Sequence, residues 1–71
     1  MTVGQRAYME MQAKVSEEGI SISQECRNIG INSSTAQSWQ KGRSSPSSYP
    51  LQQMVLMGYD VIYILTGERV C

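Results

Sequence analysis

Ser33, Ser34, Gln37, Ser38 and Lys41 recur at spacings that set them along the outer side of one short helix. Such a row of donors and acceptors is suited to base edges and phosphates. Gln37 has the clearest chemistry, because one carboxamide can pair with N7 and N6 of adenine together, while a serine hydroxyl donates or accepts with less discrimination. Short side chains also let a helix backbone come close to a groove. The strip NSSTAQS could be no more than the wet side of an amphipathic helix. Small polar residues are poor helix formers, however, so keeping them there is costly without a purpose. Ser33, Ser34, Gln37 and Ser38 are therefore candidate base contacts.

These residues need a scaffold, and the stretch from Ile22 to Gly42 describes one. A small residue (Cys26), then Ile29, Gly30 and Ile31, then Ala36 and Trp39, fit two short helices packed across a tight corner, a helix-turn-helix. Gly30 supplies left-handed turn geometry that other residues adopt only at a cost. Ser21 followed by Gln24 reads as a capping box, so the second helix is expected from about Ile22 to Asn28 or Ile29. Asn32 suits the N-cap of the third helix, which turns Ala36 and Trp39 inward and ends at Gly42. Before it, Gln5 to Glu18 reads as a first helix with Ala7, Tyr8, Met11 and Val15 on its apolar stripe, stopped by Gly19. After it, Arg43 to Pro50 is a loop by composition, with its serines as a solvated connector. Pro50 fits a first-turn position, and Leu51, Met54, Val55 and Met57 make a largely buried fourth helix ended by Gly58. Asp60 can cap a last helix, Val61 to Leu65, closed by Gly67. The expectation is all-α, with five short helices in one compact domain over residues 1–71.

Composition narrows the function classes. A chain of 71 residues can bury one small helical core. Six basic and six acidic residues cancel, which is unusual for a nucleic-acid binder. Their distribution argues the other way. No acidic residue occurs from Cys26 to Tyr59, while Arg27, Lys41 and Arg43 do. Arg6 and Lys14 read as part of a solvated helix face with Glu10, Glu17 and Glu18. Two cysteines far apart and no histidine speak against a zinc site or a structural disulfide, and a reducing cytoplasm is the expected compartment. Neither a signal peptide nor a bilayer-length span is visible. An enzyme would need a base, a nucleophile or a phosphate loop, and the chain has no histidine, no paired carboxylates in a plausible pocket and no glycine-rich loop. No cofactor, metal or small-molecule ligand is expected. Trp39 and Cys26 read as core, and Met54 and Met57 as core filler.

The segment ISQECRNIGINSSTAQSWQKGRSSP, with the later GYDVIYILTGER, resembles the N-terminal DNA-binding domains of phage CI-type repressors and their small Cro-like relatives. The similarity covers roughly Ser21 to Arg69. It implies a five-helix lambda-repressor-like domain whose third helix lies in the major groove, with base contacts from Ser33, Ser34, Gln37 and Ser38. It also implies backbone contacts from the start of the second helix (Ser21, Ser23), from Asn32, and from Lys41 and Arg43. Two positions depart from the pattern. Glu25 stands where the family usually has an apolar residue against the first helix, so either the helix is rotated or Glu25 reaches a base such as Arg6 or Lys14. Ile22 stands where many members have a phosphate-contacting glutamine, which leaves Ser21 and Ser23 as substitutes.

The function implied is sequence-specific binding of double-stranded operator DNA by a phage or prophage-type transcriptional regulator, closer to Cro than to a full-size repressor because the chain stops soon after the domain. A homodimer is expected, at least on DNA. Val61, Ile62, Ile64, Leu65 and Val70 make the end of the chain apolar; some of that surface must pack on the core, and the remainder is the candidate two-fold contact, which would set recognition helices about 34 Å apart. The alternative is an interaction protein, such as an antirepressor, that uses the same scaffold to bind another protein.

Overall fold

Thr2, rather than Gln5, opens the first helix. In a computed structural model describing residues 1–69, α1 spans Val3–Glu18 behind a complete capping box. The Gln5 amide donates to Thr2 Oγ1 at 3.1 Å, and the Thr2 amide donates to Gln5 Oε1 at 2.9 Å. Four more helices follow: α2 Ile22–Ile29, α3 Ser33–Gln40, α4 Ser48–Leu56 and α5 Val61–Thr66. The described residues thus form five helices and no strand. The box expected at Ser21 is only half made, since Ser21 accepts from the Gln24 amide while the Gln24 carboxamide turns to Asn28. Asn32 and Asp60 cap α3 and α5 through the amides of Thr35 and Tyr63.

α1 is the hub, packing against α3, α5 and α2. The core it helps enclose is Ala7, Met11, Cys26, Ile29, Ala36, Trp39, Met54 and Ile64. Trp39 is 1% exposed, so the inward phase of α3 holds. Close approach of α1 to the chain leaving α3 depends on Gly4, which is buried: a Cβ there would overlap the Ser44 carbonyl oxygen and stand 3.0 Å from Trp39 Cα. Gly30 turns the corner between α2 and α3 at φ +92°, with the Tyr49 ring lying over it.

Several expectations need correcting. Arg6 and Lys14 do not lie on a solvated face. The Arg6 guanidinium caps the end of α5, donating to the carbonyls of Ile64 (2.8 Å) and Leu65 (3.2 Å), and it also holds the Met1 carbonyl. Lys14 turns to Glu25 at 3.4 Å. In the loop before α4, Pro46 is buried among exposed serines, so the connector is anchored. Val55 is exposed, because α4 turns Pro50 and Met54 inward instead. Of the apolar residues of α5, Ile64 belongs to the core and Val61 packs against it, while Ile62 and Leu65 are exposed. Val70 lies outside the described residues. No helix among those residues is long and apolar enough to cross a membrane.

Candidate nucleic-acid interface

The start of α3 is organised by one side chain. Asn32 Oδ1 accepts three hydrogen bonds at 2.8 Å, from the Thr35 amide, the Thr35 hydroxyl and the Ser34 hydroxyl. Ser34 is therefore exposed yet engaged at the cap, and the carbonyl end of Asn32 is fully used. Ser33 and Gln37 are exposed and bond to nothing through their side chains among the described residues. They are one helical turn apart on α3, at the edge of the face that turns Ala36 inward. Ser38 is half-buried, so the four candidate base contacts are not equivalent. Lys41 follows the last turn at the C-cap and is exposed. Arg43 is exposed too, its amide tied to the Ser38 carbonyl at 2.9 Å, so its backbone is fixed against the helix end. Of the remaining candidates, Ser21 is engaged as the α2 cap and Ser23 is exposed.

The charges separate in the same way. Arg27, Lys41 and Arg43 are exposed and in no ion pair among the described residues. The other three bases are occupied: Arg6 on carbonyls, Lys14 on Glu25, and Arg69 between Glu10 and Asp60 at 3.0 Å each, with its guanidinium 4.0 Å from the Tyr63 ring centre. Glu10, Glu17 and Asp60 line a cleft between α1 and the α4–α5 turn. Lys14 lines the same cleft and Arg69 pairs with Glu10 and Asp60, so charges there are largely balanced, whereas the stretch containing α3 carries cations only.

Glu25 is the polar residue that holds α2 in place. It is fully buried and receives hydrogen bonds from the Tyr59 hydroxyl and from the Asn28 carboxamide at 3.2 Å, beside the Lys14 ammonium. Lys14 also lies 4.7 Å from the centre of the Tyr59 ring. Burial pushes the Glu25 carboxyl up, but the bonds from Tyr59 and Asn28, together with the Lys14 charge, outweigh it and hold the group below the usual carboxylate range. Burial, and then Glu25, push the Tyr59 phenol well above its usual value. They push the Cys26 thiol up as well, which makes it a poor nucleophile. A basic partner for Glu25 was foreseeable, and it is Lys14 rather than Arg6. Tyr59 carried no such signal, being 34 residues away in sequence.

No protein-family model, no curated protein and no solved structure matches this sequence.

Proposed function

We propose that this chain is a sequence-specific double-stranded DNA-binding protein of the helix-turn-helix type, a small transcriptional regulator in which α2 and α3 form the motif and α3 enters the major groove. One observation carries the reading. The three basic residues in no ion pair among the described residues, Arg27, Lys41 and Arg43, lie in α2 and just after α3, flanking in sequence Ser33 and Gln37, whose side chains have no protein partner among those residues. In this arrangement Lys41, Arg43 and Arg27 neutralise phosphates and set the register of the helix. Gln37 reads adenine through its carboxamide, and Ser33 bonds a neighbouring base edge. Ser34 spends its proton on Asn32 and can then only accept from a base, so it contributes less. Ser23 and the Asn32 carboxamide nitrogen, unbonded among the described residues, supply uncharged contacts to the DNA backbone.

Three cations per chain give modest affinity, which favours two copies on one operator. The exposed apolar side chains Val55, Leu56, Ile62 and Leu65 at the end of α4 and along α5 supply a face for that pairing. Half-site centres would then lie about ten base pairs apart.

Mobility-shift titration over a range of salt tests the reading. Binding should weaken as salt rises, by a log–log slope of about −0.9 for each phosphate neutralised, and Lys41→Ala or Arg43→Ala should each flatten that slope by about one unit. Gln37→Ala should instead lose about 1–3 kcal/mol of discrimination at one base pair. No salt-sensitive binding to any duplex would reject the reading in favour of a protein partner on the same scaffold.

A further inference from the structure

The DNA-binding reading leaves Ile22 without a role, since an aliphatic side chain at the start of α2 cannot bond a phosphate. It is half-buried and lines a cleft of about 120 Å³ where α1, α2 and α3 meet. Cys26 and Ala36, 1% and 2% exposed, form the floor. Half-buried Tyr8 stands with Ile22 as a wall, and exposed Ser23, Ser33 and Gln37 are at the mouth.

Every residue lining this cleft is uncharged. A phosphate seated on the floor would lose hydration against a thiol and a methyl group and gain no cation in return, so phosphate is met only at the Ser23 rim and what enters the cleft is small, neutral and apolar at its tip. Ser33 and Gln37 are also the two side chains that the proposed function aims at base edges. What reaches the mouth between them is therefore a group projecting from a base pair into the major groove. Among the four bases only thymine carries an apolar group there, the C5-methyl, next to an O4 that Ser33 or Gln37 can bond as donor.

We infer that the Ile22 cleft receives a thymine methyl group, so that α2 joins in reading the sequence through apolar contact. This rests on the DNA-binding reading and adds to it a second base identity, a thymine beside the pair engaged by Gln37.

The test uses the wild-type chain and the duplex it enriches from a randomised pool, with each thymine replaced in turn by deoxyuridine, which lacks only the methyl. One position in each half-site should weaken binding about fourfold, the value of one buried methyl-sized group. Ile22→Ala should bind the thymine and uracil duplexes alike. Lys41→Ala should bind both more weakly and keep the ratio between them. Uracil tolerated at every position, or an Ile22→Ala protein that keeps the full ratio, would overturn the inference and leave DNA binding standing. Because the uracil scan is made with unaltered protein, it decides the matter even if Ile22→Ala does not fold. A pool that yields no enriched duplex overturns the proposed function and this inference with it.

Discussion

Around Glu25 every polar group is bonded within the protein, whereas along α3 the side chains of Ser33 and Gln37 bond to nothing among the described residues. Both regions belong to the same pair of short helices. In the first, a buried carboxylate is tolerable only because Tyr59, Asn28 and Lys14 surround it, and taking away a partner would leave a charge uncompensated. In the second, donors and acceptors stand in water, so changing them costs the fold almost nothing. The contrast separates what holds α2 against α1 and Tyr59 from what α3 offers to another molecule.

Substitutions should divide along that line. The largest loss is expected on the packed side of α3: Trp39→Ala should destabilise by about 3–5 kcal/mol, enough to unfold so small a domain. An unchanged melting temperature would show that the inward side of α3 is not the support assigned to it. Next comes Gly4→Ala, whose added methyl meets the Ser44 carbonyl and the Trp39 backbone; about 1–3 kcal/mol should be lost in chemical denaturation.

Glu25→Gln should cost a similar or smaller amount, about 1–3 kcal/mol, and it carries a pH signature. The folded protein holds this carboxyl below its ordinary value, so its contribution is present above the unfolded-state value near 4.5 and is lost as pH falls through the lower folded value. Wild-type stability should therefore drop more steeply below about pH 4.5 than that of Glu25→Gln. Parallel acid limbs in urea titrations would dissolve the distinction between the two regions. The smallest effect is expected at Gln37→Ala, within about 0.5 kcal/mol of wild type in the same titrations. A larger loss would mean that Gln37 supports the fold and is not free for a partner.

How much could be read from the chain depended on how far apart the interacting residues lie. Gly19, Gly30, Asn32, Asp60 and Gly67 act within a few residues of themselves, and all five helices follow from such punctuation and from the apolar period. The Thr2–Gln5 box is equally local and was open to the same reading. Non-local partners gave no such signal. Nothing next to Arg6 says that it caps α5, nothing next to Gly4 announces the Ser44 carbonyl, and Glu25 looks like a misplaced charge until Tyr59 is seen over it. At the candidate site, Ser33 and Gln37 were legible as outward-facing. The engagement of Ser34 by Asn32 and the half-burial of Ser38 came only with the geometry.

The clasp that Arg6 makes on the carbonyls of Ile64 and Leu65 bears on how the chain assembles. It closes a loop across 58 residues, and α5 is only six residues long, too short to persist as a free helix. α5 must then await a formed α1 before it has a place to rest, which makes its docking the late event in folding and its release the early one in opening. Native-state hydrogen exchange should register this as amide protection that is lower in α5 than in α1. Equal protection would mean that the two helices open only together.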